Sequence, residues 1–281
     1  MWPLRNRFLV SFLTTVAAIA TVSLASAPAG SQSAASGPQA IRRMPDGRPD
    51  FSGVWAGPAF SHKVGPGDTD SPSPTRFDPK IYADLFRPGG KELFYQKWTG
   101  DLRHDDPQAL CLPVGFPRII LSPYSQQWVQ TPGNIVVLYE YMHFFRVIPI
   151  DGRPRPRDLE LTWMGNSAGR WDGDTLVIDT AGLKEWPFAG DEPGRDANSG
   201  VKTIPYHSDA LHVIERLRHI DGTTVSYQVT IDDPKIFAKP WSQDFQMKLH
   251  PTWNVFEFVC EENNRCEAGK CVSSDEQKTS R

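Results

Sequence analysis

Two glutamates stand in this sequence where a strand should bury an apolar side chain. In Val136, Leu138, Glu140, Met142 and Phe144, taken at every second position, one carboxylate interrupts an apolar face. The same happens in Leu211, Val213, Glu215 and Leu217. A charge on a buried face is costly unless it is paired or put to use. One use is acid–base chemistry: a carboxylate pair in an apolar pocket, with one member held protonated. The alternative is structural, with each glutamate in an ion pair with Arg146, Arg216 or Arg218.

His207 is the side chain suited to carrying a proton near neutral pH. It lies eight residues from Glu215, roughly 26 Å along an extended chain, so the two meet only if Ser208-Asp209 turns the backbone. Read catalytically, the candidates are Glu215, Glu140 and His207; read as a binding site, they are Arg146, Tyr139, Trp171, Trp186 and Arg216. Trp186 is the tryptophan best placed for a pocket, because its segment is rich in proline and acidic residues, whereas most of the others should be core.

Asp172, Asp174 and Asp179 crowd one turn but lack the spacing of a calcium loop, and an aspartate in a turn is satisfied by its own backbone. Cys260, Cys266 and Cys271 cluster without a CxxC or a nearby histidine, which argues against zinc. No GxGxxG, Walker loop, GxSxG or HExxH is present, so the expectation is a chain that works without cofactor or metal.

The segments that must position these residues are short and β-prone. Asp-Gly recurs at 151–152, 172–173 and 221–222, each time between apolar runs, which is the strongest short-range signal for a hairpin. Thr175 to Thr180 is β-branched, and Leu159 to Met164 alternates cleanly. Asn134 to Ile150 reads as one long strand that folds back after Asp151-Gly152. In 223–231, Val225, Tyr227, Val229 and Ile231 share a face opposite Ser226, Gln228 and Thr230, the pattern of a sheet wetted on one side. Trp253 to Cys260 reads as a last strand, and 56–76 and 182–206 as long loops. Tyr82 to Trp98 has helical spacing broken at Pro88-Gly89-Gly90, hence short helices within 77–110. Together these predict a mainly β fold, an antiparallel up-and-down, lipocalin-like barrel or strongly curved sheet.

The chain has 281 residues with 25 prolines and 22 glycines, which suits many turns. Arg5 and Arg7, the uncharged run Phe8 to Leu24 and Ala25-Ser26-Ala27 form the pattern of a signal peptide over 1–27, cleaved after Ala27. Residues 28–48 read as a disordered leader, 49–263 as one barrel-like domain and 264–281 as a polar tail. Loss of 1–27, which carry two arginines and no acid, takes the net charge from −3 to −5. That argues against nucleic acid and anionic membrane as partners, and no second apolar run is long enough for stable membrane insertion. Four cysteines in an exported chain favour disulfides, and the proposed pairs are Cys111–Cys260 and Cys266–Cys271.

Phe51-Ser52-Gly53-Val54-Trp55 resembles the Gly-x-Trp opening strand of lipocalins and avidins. A wider set is similar to a family of exported bacterial proteins of unassigned function: that opening, Asp151 to Pro154, Gly169 to Val177, His207-Ser208, Glu215-Arg216, Asp233-Pro234 and Pro240-Trp241. The resemblance spans most of 49–263 and implies export and a lipocalin-like barrel, with no catalytic residues. The expected function is therefore a periplasmic or secreted barrel that holds a small apolar or amphipathic molecule. The alternative is a cofactor-independent isomerase, lyase or hydrolase on the same scaffold, and a purely structural envelope protein stands third.

Overall fold

A computed structural model describes residues 39–58, 77–155, 158, 160–188, 194–195, 202–260, 264–267 and 270–273. The signal peptide, most of the leader, most of the 56–76 loop and the end of the tail lie outside the described residues. In chain order the main strands are β1 (Gly53–Ala56), β2 (Tyr95–Lys97), β3 (Ser125–Gln130), β4 (Asn134–Tyr139), β5 (Phe145–Pro149), β6 (Asn166–Asp172) and β7 (Thr175–Ala181). They continue with β8 (Trp186–Pro187), β9 (Gly194–Arg195), β10 (Lys202–His207), β11 (His212–His219), β12 (Thr224–Asp232) and β13 (Trp241–Leu249). Short helices α1 (Pro79–Tyr82) and α2 (Gly90–Phe94) fall in the 77–110 insert. Asp78 caps α1, its carboxylate accepting from Lys80 N at 2.9 Å, with Pro79 at the first helical position.

Nine strands form one sheet in the order β5-β4-β3-β1-β13-β12-β11-β7-β6, and every hydrogen-bonded neighbour is antiparallel. Taken in chain order this is a simple meander whose last strand, β13, returns to β1. The sheet curls into a nearly closed barrel, with its two edges, β5 and β6, side by side. Their relationship follows from parity. Eight antiparallel steps separate β5 from β6, so the two edges run in the same direction. Parallel neighbours need a crossover of a dozen or more residues, and residues 150–165 supply it by carrying the chain back along the barrel. No ladder joins β5 to β6 among the described residues. They touch through side chains, and at Gly169 a Cβ would lie 2.7 Å from Ile150 Cγ2, so only glycine fits.

This arrangement corrects several expectations. Asn134 to Ile150 is two strands, with a tight turn at 140–144 where Met142 and His143 have φ of 58° and 54°. Asp151-Gly152 does not close a hairpin, because the strands on either side of it form the seam. Residues 160–164 form no strand, and there only Thr162 bridges, in parallel, to Leu183; Leu159 lies outside the described residues. At the central turn the ladder runs through Asp172↔Thr175, so the two free residues are Gly173 and Asp174 rather than Asp172 and Gly173. Trp253 to Cys260 lies outside any sheet. The last barrel strand is β13, where Trp241, Gln243, Phe245 and Met247 point inward and Ser242, Asp244, Gln246 and Lys248 outward. The segment read as a loop over 182–206 ends in β10, which pairs with β2, β8 and β9 in a second, four-stranded sheet.

Both barrel ends are covered. At the β6–β7 and β11–β12 turns, Arg43 pairs with Asp174 at 2.7 Å and Gly222 N donates to Gln39 O at 2.7 Å, fastening residues 39–52 across the opening. Phe51 and Trp55, fully buried, fill the barrel beneath. The other end carries the second sheet and the short helices, joined to the barrel by the aromatic cluster of Tyr82, Phe94, Phe188, Phe237 and Trp241. No described helix is long and apolar enough to cross a membrane.

Cys111 and Cys260 form a disulfide with their Cα atoms 5.7 Å apart. It ties the insert to the segment after β13. Cys266 and Cys271 face each other in the register of a small hairpin, Asn264–Glu267 with Lys270–Ser273, but their side chains lie outside the described residues. The long bridge encloses a sequence separation of 149 residues, and on a chain-entropy estimate its loss costs up to about 5 kcal/mol. The expected outcome is that Cys111→Ser lowers the melting temperature strongly and that non-reduced peptide mapping of the native chain recovers the 111–260 crosslink.

Candidate functional site

The inward positions Val213, Glu215 and Leu217 of β11, and Leu211 just before it, are each buried, as their alternation requires. Glu215 is therefore a carboxylate inside a barrel, and its cation comes from the seam. Arg146, near the start of edge strand β5, reaches across so that Nη2 donates to Oε2 at 2.6 Å and Nη1 to Oε1 at 3.2 Å. Both side chains are almost wholly removed from water, 3% exposed for Arg146 and 1% for Glu215. The fork geometry of a guanidinium matches a carboxylate with two parallel hydrogen bonds, the strongest pairing available to these groups.

A shell of hydroxyls completes the cluster. Tyr227, inward on β12, donates its hydroxyl to Glu215 Oε1 at 2.6 Å. Arg146 Nη2 also donates to Ser167 Oγ on β6 at 2.9 Å and to Thr180 Oγ1 on β7 at 3.0 Å, and these two hydroxyls lie 2.9 Å from each other. Arg146 Nη1 donates to the Tyr139 hydroxyl on β4 at a long 3.4 Å. The ring of Phe116 lies against the guanidinium, 4.1 Å from ring centroid to Cζ. Arg146 Nε–H alone has no hydrogen-bond partner among the described residues.

Burial and charge set the proton affinities. Burial alone would lower the affinity of Arg146, but Glu215 outweighs it and the guanidinium is pushed further up. Burial, then the charge of Glu215, raises the Tyr227 phenol well above its ordinary range. Burial likewise raises Tyr139, partly offset by Arg146. The layer thus holds a fixed cation and two neutral phenols across ordinary pH, which suits holding a dipole better than passing protons.

The remaining sequence candidates fall elsewhere. Glu140 is not on the barrel interior. On β4 it is Ile135, Val137 and Tyr139 that point inward, while Val136 and Leu138 point outward, and Glu140 in the following turn accepts from the Ser125 hydroxyl. The parity was legible only if one face of β4 were polar, and neither is. His207 is buried at the end of β10, in the second sheet opposite Trp186. Its Nδ1 meets Ser208 O at 3.0 Å and its Nε2 has no partner among the described residues. Glu215, Glu140 and His207 have separate partners, and no hydrogen bond or ion pair joins any two of them among the described residues.

Arg216 faces outward and pairs with Asp172 at 2.8 Å. Trp171, half-buried, belongs to the opposite end of the barrel, packed on Phe51 at 6.1 Å and Arg48 at 5.5 Å. Trp186 is next to the site through its neighbours. Its indole N–H donates to Pro113 O at 2.8 Å, and its ring lies 2.5 Å from where a Cβ on Gly115 would be, which with φ of 80° there demands glycine. Trp186 thereby seats the loop that carries Phe116 onto Arg146. Sequence reasoning missed Phe116, Ser167 and Thr180; the last two face each other across the β6–β7 hairpin, but Phe116 and Arg146 join them only through the tertiary fold. Among the described residues no group of three or more metal-ligating side chains occurs.

Removing either charge tests how much the pair supports the fold. Arg146→Met leaves a carboxylate buried without its cation and should cost about 3–5 kcal/mol. Glu215→Gln, which keeps the shape, should cost about 1–3 kcal/mol. The double variant Arg146→Met with Glu215→Leu should recover most of the loss, as chemical denaturation of the variants beside the unaltered chain will measure.

His207 predicts an acid sensitivity. Burial lowers its pKa to about 4, only partly countered by Ser208 O and Asp233. An unfolded histidine takes its proton near 6.5, so between these values the unfolded chain binds more protons. The stability is complete above about 6.5 and is lost as pH falls toward 4, by about 3 kcal/mol in all. The expected outcome is that His207→Gln flattens this part of the stability–pH curve relative to the unaltered chain.

No family model, no curated protein and no solved structure matches this chain.

Proposed function

We propose that this chain is an exported barrel protein that holds a small, mostly apolar or amphipathic molecule at the Arg146–Glu215 layer. The observation that carries the reading is the Arg146 Nε–H, which has no hydrogen-bond partner among the described residues, inside an otherwise satisfied polar cluster. A buried donor without a partner costs about 1–3 kcal/mol, and a ligand that supplies one acceptor removes that cost. The rest of the surroundings is apolar and aromatic, Phe116 foremost. The matching molecule has an apolar body and one carbonyl, ether or hydroxyl oxygen. Glu215 already neutralises Arg146, so a full anionic charge is not required.

Export is supported by the N-terminal Arg5, Arg7 and Ala25-Ser26-Ala27 pattern and by the Cys111–Cys260 bridge, a bond that persists in oxidising compartments. The acid–base alternative is not favoured by any observation of the geometry, since its three candidate groups have separate partners.

The test is a screen of small amphipathic carbonyl compounds and alcohols by thermal melting, with affinities from calorimetry. A genuine ligand at 100 times its Kd should add about 2.7 kcal/mol of stability. Arg146→Met should weaken that ligand at least tenfold while Trp171→Phe, at the far end of the barrel, leaves it unchanged. Equal affinity for both variants would place the ligand elsewhere, and a screen without a single binder would remove the reading.

A further inference from the structure

Two tryptophans use their indole N–H within the chain: Trp55 donates to Phe51 O and Trp186 to Pro113 O, each at 2.8 Å. The indole N–H groups of Trp128, Trp163, Trp171 and Trp241 have no hydrogen-bond partner among the described residues. Trp163 and Trp171 are only half-buried, and Trp241 belongs to the aromatic cluster at the insert end. Trp128 differs from these. It is 2% exposed and stands on the inward face of β3. The ladders set Trp128 opposite Val137 on β4, and Val137 opposite Arg146 on β5, so the three form one inward row. Arg146 Nε–H and Trp128 Nε1–H, both buried donors without a partner among the described residues, therefore share one row of one wall, two strands apart. The other inward side chains of β3 are engaged. Gln130 accepts from Phe51 N at 2.9 Å and donates to Pro49 O at 3.1 Å, and Gln126 Nε2 donates to Met247 Sδ at 3.4 Å.

We propose that Trp128 is the second anchor of the ligand site, and that the ligand is an apolar molecule with two acceptor oxygens, a dicarbonyl or a keto ester. This rests on the reading of the Arg146–Glu215 layer as a binding site. Guanidinium and indole N–H groups only donate. A ligand that satisfies both supplies two acceptors, whereas a diol would bring two hydrogens that need acceptors of their own. Two strand spacings put the backbones of β3 and β5 about 10 Å apart, and both side chains reach inward from there, so one apolar chain can carry both oxygens. A buried donor left without a partner is costly, so each oxygen that reaches one of these N–H groups strengthens binding. Val137 and Ile148, both fully buried, and Phe51, with its ring centroid 6.2 Å from that of Trp128, supply apolar surroundings.

The probes are 2-decanone, with one carbonyl, and a series of decanediones that move a second carbonyl along the chain. Calorimetry on the mature protein should show the best decanedione binding about tenfold more tightly than 2-decanone, the scale of one additional hydrogen bond. Trp128→Phe keeps an aromatic ring and removes the N–H. It should bring the ratio of the two affinities close to one, while Arg146→Met should weaken both compounds. A purely structural effect of the smaller ring would shift both affinities together and leave their ratio unchanged. In the unaltered chain the Trp128 indole proton resonance should move downfield with the best decanedione and not with 2-decanone, a readout that needs no variant. A diketone advantage that survives Trp128→Phe overturns the proposal, as does a series in which no decanedione surpasses 2-decanone. If 2-decanone then still binds and still depends on Arg146, the reading of the layer stands and only the second anchor falls; if no compound binds, both fall.

Discussion

The structure depends on how an odd number of antiparallel strands is closed. Nine strands in a meander leave one neighbouring pair parallel, and backbone hydrogen bonds do not bridge it here. Arg146 does part of that work. Its guanidinium stands on one edge strand, donates to Ser167 on the other edge and to Thr180 on the next strand, and reaches Glu215 one strand further on. A single side chain thus ties four strands, β5, β6, β7 and β11, on the side where the ladder is missing. Such a clip must be charged to be strong and must be neutralised to be buried, which accounts for a glutamate on the opposite wall.

Once the pair is fixed, its surroundings follow. A guanidinium and a carboxylate have more hydrogen-bonding capacity than they can give each other, so Tyr227, Ser167 and Thr180 supply hydroxyls. The open flat of the guanidinium takes an aromatic ring, and Phe116 arrives from the insert to provide it. Placing that ring requires the loop around it to be rigid. The Trp186 indole holds Pro113 and packs on Gly115, and Phe116 N donates to Trp163 O at 2.8 Å. The insert is therefore part of the barrel's interior as well as a cover for its end.

Buried ion pairs seldom add much net stability, because desolvation consumes most of the attraction. Their better-attested value is specificity: a wrong pairing of strands would leave a charge buried alone. In a barrel whose edges lack a ladder, register across the seam needs such a device. The proposed ligand would use the same residues and would add one thing, a partner for Arg146 Nε, which has none among the described residues.

The sequence by itself determined what depends on neighbours along the chain. Alternation placed Leu211, Val213, Glu215 and Leu217 on one face and Val225, Tyr227, Val229 and Ile231 on another, and both sets are inside. Asp221-Gly222 closed its hairpin, the helical stretch broke where Pro88-Gly89-Gly90 stands, and Cys111 met Cys260. What alternation could not decide was β4, apolar at even and odd positions alike, and this sent Glu140 to the wrong face. Nor could it find β13, whose inward row includes Gln243 and whose outward row is Ser, Asp, Gln and Lys, residues of little β tendency. The choice of Arg146 over Arg216 and Arg218 as the partner of Glu215 belonged to the tertiary structure alone. Arg216 and Arg218 share a strand with Glu215 but point to the other side of the sheet, since successive side chains alternate. Arg146, sixty-nine positions away, faces Glu215 only because an odd meander brings its first and last edges together.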